Sequence, residues 1–260
     1  MSLDSPTPQA TRGSYYLVHR LSSESEPLLA RVGETGDPDG PHFLLKALPE
    51  QPRRDWFEGI KLLKAVRSAH LRIPFAVESD PEGFYSVEKW LEGPSLDQVR
   101  VERFQGKVPV RQALLWLRHC LLALEVLHHH GLLHGDVKPS NLLLHEEDAV
   151  LVDLGCLQPV GRPLLESATP EYLIPDEDAR LTVQRDLYAA ALTFAALITG
   201  SLPNKDVSSA ARLSSLDPLI PEAVDPLLAR WASSEKRYVY AGEMLQEVDM
   251  LLGVESKPVT

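Results

Sequence analysis

The sequence predicts an α+β fold, with strands gathered in the first third and helices filling the rest. Three observations carry that prediction. Short apolar stretches at Tyr15–Val18, Leu28–Val32 and Phe43–Leu45 are separated by turn formers, among them GETGDPDGP between Val32 and His42. Arg111–His130 and Leu187–Ile198 are apolar nearly all round, which marks buried helices rather than amphipathic surface ones. The chain has 260 residues, 44% of them apolar, and a chain of that length can bury roughly three quarters of its unfolded surface without disulfides or metals.

The elements follow in order. Residues 1–13, rich in Ser, Thr and Pro, read as a loose tail. The three strands come next, the third ending in Lys46. Arg53–Ser68 has helical spacing, with Trp56, Ile60 and Leu63 on one face and Phe57, Leu62 and Val66 beside it. Phe75–Val77 and Phe84–Val87 are strand-like. After Gly93 the long helices begin. The run His128–His130 marks a helix end, because consecutive helical residues point about 100° apart and cannot share one metal ion.

Composition excludes several classes. With 26 Lys+Arg against 37 Asp+Glu, the formal charge of −11 argues against a general nucleic-acid binder, whose affinity rests on neutralised phosphates. Two cysteines, Cys120 and Cys156, make no disulfide framework. The strongly apolar run Leu187–Ile198 is too short to insert across a bilayer, and the N-terminus lacks the apolar core of a secretory signal. The expectation is a soluble, cytoplasmic protein with no membrane insertion.

Two segments carry chemistry: HGDVKPSN at His134–Asn141 and VDLG at Val152–Gly155. Between them, Leu142–Leu144 and Ala149–Val152 read as a tight hairpin around the polar tip His145–Asp148. Such a hairpin brings Asp136, Asn141 and Asp153 to one end. Two carboxylates and an amide make an oxygen-rich site suited to Mg²⁺, which takes few protein ligands and fills the rest with water or phosphate oxygens. Lys138 points to the same place and can balance charge on a phosphoryl group. Either segment alone is ordinary turn material; the two together are not.

At these residues the sequence resembles the eukaryotic-like Ser/Thr protein kinases. HGDVKPSN resembles their catalytic loop H-R-D-x-K-x-x-N, and VDLG resembles D-F-G. FLLK ends in Lys46 at the place of the V-A-I-K lysine. SATPEYLIPDE resembles the end of the activation segment. RDLYAAALTFAALITGSLP resembles the buried helix whose Asp, here Asp186, ties the catalytic loop from below, and Arg237 matches the usual partner of the carboxylate at Asp176. The resemblance implies a bilobal fold, with a small antiparallel sheet lobe at residues 14–91 hinged to a larger helical lobe at 92–255 and tails at 1–13 and 256–260. It implies ATP and Mg²⁺ as cofactors and a protein substrate. Asp136 and Lys138 would be catalytic, Asp136 accepting the substrate hydroxyl's proton, and Asn141 and Asp153 would hold the metal. Lys46, paired with Glu58, would contact the nucleotide together with Leu29, Leu44, Glu88, Trp90 and Leu143.

Departures cluster on the nucleotide side. If Leu21 and Leu29 frame the glycine-rich loop, its glycine positions are Ser22, Glu24 and Pro27. Glycines let backbone N–H groups approach phosphate closely, and Pro27 has no N–H. Leu44 replaces a small alanine, Glu88 stands where an apolar residue is usual, and Gly135 replaces the loop arginine that reads activation-segment phosphorylation. These changes keep open a pseudokinase, the same fold used as a binding or allosteric module. A small-molecule kinase, whose loop often reads H-G-D-x-H-x-x-N, is a third reading. Cys156 follows Gly155 with no cation evident beside it, and it reads as a structural thiol.

Overall fold

The computed structural model describes residues 9–12, 14–23, 27–37, 39–48, 52–163, 165, 168–175, 182–201, 222, 224–231 and 238–254. The chain forms two compact units, one of Met1–Ala65 with Arg72–Glu92, the other of Val66–Leu71 with Gly93–Thr260.

The first unit is an antiparallel sheet of six strands with one helix. The strands are β1 (Gln9–Arg12), β2 (Tyr15–Arg20), β3 (Leu29–Glu34), β4 (His42–Ala47), β5 (Ala76–Asp80) and β6 (Gly83–Lys89), ordered β1-β2-β3-β4-β6-β5. β1 lies in what the sequence reads as a tail; edge pairing uses backbone groups and asks for no apolar side chain, so composition gave no sign of it. Side chains alternate across a strand and cross-strand partners share a face. One face gathers Tyr15, Ala30, Val32, Leu45, Tyr85 and Val87 into an apolar cluster. The register pairs Leu29 with Lys46, Arg31 with Leu44, Leu44 with Glu88 and Lys46 with Ser86, so these residues occupy the opposite face.

Helix α1 (Arg54–Leu63) buries Trp56, Gly59, Ile60 and Leu63. It stops short of the expected Ser68. Leu62 is 56% exposed rather than flanking the buried stripe, because it lies two residues on from Ile60, on the far side of a 3.6-residue helix.

The second unit is helical: α2 (Leu96–Phe104), α3 (Val110–His129), α4 (Gln184–Thr199), α5 (Val224–Trp231) and α6 (Ala241–Leu252), with short strands β7 (Leu132–Leu133), β8 (Leu142–His145), β9 (Asp148–Leu151) and β10 (Gln158–Pro159). A capping box starts α2: the Gln98 N–H donates to Ser95 Oγ at 3.3 Å, and the Ser95 N–H to Gln98 Oε1 at 2.8 Å. α3 packs on α4 and α6, burying Leu117, Leu121 and Leu124, and Arg118 reaches Asp249 of α6 at 2.7 Å. α4 is buried from Gln184 to Ile198. Its Phe194 meets Trp231 of α5 edge to face at 5.9 Å, and the Trp231 indole N–H donates to Glu247 Oε2 at 2.7 Å. Among the described residues, no helix is long and apolar enough to cross a membrane.

Candidate active site

β8 and β9 form the expected hairpin, pairing Leu142 with Leu151 and His145 with Asp148. The Val152 N–H donates to the Asn141 carbonyl oxygen at 2.9 Å. Asn141 and Asp153 are therefore neighbours at the open end of the hairpin. Asp153 adopts φ +65°, a left-handed conformation uncommon for a residue with a Cβ, and its carboxylate accepts the Gly155 N–H at 3.1 Å. Such outliers concentrate at functional sites.

Asp136 is the centre of the cluster. Its Oδ1 accepts the Thr169 N–H at 3.0 Å and the Thr169 hydroxyl at 2.6 Å. Its Oδ2 stands 2.8 Å from Lys138 Nζ and accepts from Asn141 Nδ2 at 3.0 Å. The same Nδ2 donates to the Asp136 carbonyl oxygen at 2.8 Å, which leaves the amide oxygen of Asn141 for a cation. Lys138 Nζ also donates to Thr169 Oγ1 at 2.6 Å. Burial works to raise the Asp136 pKa, but the bonds from Lys138 and Thr169 outweigh it and hold the carboxyl below its usual range. Asp136 is ionised.

A buried Asp fixes the backbone beneath. Asp186 of α4 accepts the His134 N–H at 2.9 Å and the Gly135 N–H at 2.9 Å, and His128 Nε2 approaches it at 3.1 Å. Burial opposes its ionisation, yet the His128 bond and the charge of Arg185 bring its pKa down to about 2. His134 bonds the Val152 carbonyl through Nε2 at 3.0 Å, linking the loop to the Asp153 segment. Burial pushes His134 down, so it is neutral.

The remaining expected residues divide. Leu143 is half-buried on β8. Leu29, Leu44, Lys46 and Glu88 share one sheet face of the first unit, and Trp90 lies under the Arg31 guanidinium, 5.1 Å from the ring centre. Glu88 is buried against Arg72, with Oε2 2.6 Å from Nε. Glu58 departs from expectation: its carboxylate is exposed and binds Lys61 at 2.9 Å, because the buried positions of α1 turn Glu58 outward. Its pairing with Lys46 is withdrawn. At the glycine-rich position, the Ser22 N–H is committed to the Leu29 carbonyl at 3.2 Å and Ser22 Oγ accepts the Leu29 N–H at 3.1 Å. Glu24, Ser167, Asp176 and Arg237 lie outside the described residues.

Sequence reasoning placed Thr169 in the activation-segment motif SATPEYLIPDE, as no more than a weak switch-site candidate, and missed its bond to Asp136 and that of His128 to Asp186. A threonine 33 residues from its partner Asp136 has no local signal, and His128 looked only like a helix end. His70, His119 and Asp148 also gather closely. Their imidazoles stack at 4.3 Å and 14°, and the Ala149 N–H donates to His119 Nδ1 at 3.1 Å, so the two rings cannot aim lone pairs at one ion.

The donor set at Asn141 and Asp153 is all oxygen, which fits Mg²⁺ rather than a softer metal. Serine/threonine-protein kinase C of Synechocystis sp. is 29% identical over 207 residues, covering 74% of this chain and 38% of that protein. Serine/threonine-protein kinase PknG of Mycolicibacterium smegmatis is 34% identical over 182 residues, covering 65% of this chain and 22% of its own length. The chain thus spans well under half of either relative. The PknI kinase domain of Mycobacterium tuberculosis superposes with a TM-score of 0.72 at 21% identity, covering 95% of this chain and 99% of that one, which shows the fold. The protein kinase domain profile matches residues 39–234, most of the sequence, and the chain belongs to the protein kinase domain family.

Proposed function

We propose that the protein transfers the γ-phosphoryl group of ATP to Ser/Thr hydroxyls of a protein substrate. The observation that carries this reading is the four-residue cluster of Asp136, Lys138, Asn141 and Thr169. An ionised carboxylate offers about four acceptor positions, and the four donors around Asp136 fill them. A substrate hydroxyl must therefore displace one. The Thr169 hydroxyl is a hydroxyl of the substrate's own kind, 2.6 Å from both Asp136 Oδ1 and Lys138 Nζ. A serine or threonine placed there would donate to Asp136 while Lys138 met the incoming phosphoryl oxygens. A depressed carboxyl pKa makes Asp136 a weak base, which suits a loose phosphoryl-transfer transition state that demands orientation more than early proton removal.

Asn141 and Asp153 would hold Mg²⁺, which when bound offsets charge on the phosphate oxygens. We assign Lys46 to the phosphates and Leu29, Leu44, Glu88, Trp90 and Leu143 to the nucleotide. The relatives are named as serine/threonine-protein kinases and the cluster retains each member, so nothing favours the non-catalytic alternative. A cytoplasmic location belongs to the same proposal and is tested by cell fractionation.

The experiment is transfer of labelled γ-phosphate to a Ser/Thr peptide library with Mg²⁺, run beside Asp136→Ala. Transfer that depends on Asp136 and Mg²⁺ supports the reading. Absence of transfer, with no ATP-induced rise in thermal stability, overturns it.

A further inference from the structure

Arg185, in the first turn of α4, is 1% exposed, and its Nε, Nη1 and Nη2 have no hydrogen-bond partner among the described residues. A guanidinium cannot shed its proton at any ordinary pH, so burial leaves it a cation in want of an anion. Asp186 attracts it through space. That carboxylate, however, is already engaged by the His134 and Gly135 N–H groups and by His128.

Gly135 shows what else borders the guanidinium. Its φ is +86°, and a Cβ built there would collide with Arg185 Nη2 while standing 2.8 Å from the Cys156 carbonyl oxygen and 3.2 Å from the Cys156 Cβ. Arg185, Gly135 and Cys156 thus share one small compartment. Of the three, only the Cys156 thiol can become an anion. It is in no disulfide and is 6% exposed, against 1% for Cys120. The sequence alone set no cation beside this cysteine; the fold brings one from α4.

We propose that Cys156 is an oxidation-sensitive modification site whose thiolate is held by the buried Arg185 guanidinium and whose reactant is a small hydroperoxide. The thiolate sulfur attacks one peroxide oxygen. The S–O bond forms as the O–O bond breaks, and the departing hydroxide takes the proton of the resulting sulfenic acid to become water. Sulfur is oxidised by two electrons and the peroxide is reduced. The sulfenate product keeps its negative charge against Arg185, and an external thiol returns it to the thiol through a mixed disulfide. Cys120 is the built-in contrast: fully buried, with the negative charge of Asp186 nearby, its thiol is pushed far above the ordinary range and stays inert. Cys156 closes the 3-10 turn Leu154–Cys156 that Asp153 starts, so an added oxygen displaces the segment carrying that carboxylate. The effect on phosphoryl transfer rests on the function proposed above; the modification itself does not.

The test uses the full chain as Cys120→Ser, exposed to hydrogen peroxide at pH 7, with the gain of one oxygen followed by intact mass and free cysteine as reference. Cys156 should oxidise faster than free cysteine. Adding Arg185→Met should slow it about fivefold or more, and Arg185→Lys should retain most of the rate. Equal rates with Arg185 and with Met, or a native Cys156 slower than free cysteine, overturn the proposal. Should Arg185→Met not fold, Cys156→Ser supplies the second comparison. In that chain Cys120 must stay unoxidised over the same interval, and equal oxidation of the two cysteines refutes the assignment.

Discussion

Removing Arg72 takes from Glu88 the guanidinium that stands against it inside the first unit, and the geometry of the pair sets the expected cost. The pair is close, Nε to Oε2 at 2.6 Å, with side-chain exposures of 10% and 5%. At an effective dielectric of about 20 their attraction is about 6 kcal/mol, a gain largely offset by desolvating two ions at several kcal/mol each. The net worth of the intact pair is therefore small, while the penalty for breaking it is not. In Arg72→Met the carboxylate escapes by taking a proton, which costs about 1.4 kcal/mol for each pH unit above its ordinary value near 4.3. The expected destabilisation is about 3–4 kcal/mol at pH 7 and about 1 kcal/mol at pH 5. At about 2–4 °C per kcal/mol for a domain of this size, Tm falls by about 10 °C at pH 7 and by only a few degrees at pH 5. The double variant Arg72→Met/Glu88→Leu leaves no charge behind and should return to within about 1 kcal/mol of the parent, or exceed it. Thermal unfolding of the parent, both single variants and the double variant at the two pH values measures this. A loss that is equal at pH 5 and pH 7, or a double variant no better than Arg72→Met, refutes the reasoning.

Three further predictions concern the cluster, the pH response and the nucleotide loop. Asp136→Ala should abolish phosphoryl transfer while leaving the ATP-induced rise in Tm nearly intact, and Thr169→Val, which removes the hydroxyl bridging Asp136 and Lys138, should lower kcat about tenfold or more; steady-state kinetics checks both. Burial brings His119 down to about 4 and lowers His134 as well. Both are neutral when folded and protonate on unfolding below about pH 6.5, so their contribution is complete above 6.5 and is lost as pH falls toward 4. Asp186, at about 2 when folded, adds a second loss below about pH 4, of about 2 kcal/mol; denaturant titrations from pH 7 to pH 3 should show both, and His119→Gln should flatten the first. Replacing Ser22, Glu24 and Pro27 with glycine frees the Leu29 N–H that Ser22 Oγ now accepts, supplies an N–H at position 27 and should tighten ATP; an unchanged Kd by calorimetry would mean that the loop lies elsewhere.

What the sequence revealed and what it hid separates along one physical line. The reading of Leu142–Leu144 and Ala149–Val152 as a tight hairpin was enough to see that Asn141 and Asp153 meet at one end, because backbone geometry alone fixes that. The same kind of signal was present for Glu58 and was outweighed by its resemblance to the family's lysine-pairing glutamate. It sits two positions from both Trp56 and Ile60, and on a 3.6-residue helix that places it opposite the buried stripe. Strand β1 was hidden because edge pairing rests on the backbone. Thr169, His128 and Arg185 were hidden for another reason: their partners are set by tertiary packing and lie 33, 58 and 50 positions away along the chain. Gly135 joins the two cases. Read alone, it is a missing arginine in a catalytic loop. In the fold, the space its side chain would need is held by the guanidinium of Arg185 and the carbonyl of Cys156, and its backbone adopts a positive φ that glycine alone takes easily. The absence at position 135 and the arginine at position 185 are thus one feature, an exchange of a cation from the loop to the helix beneath it, and neither residue explains itself without the other.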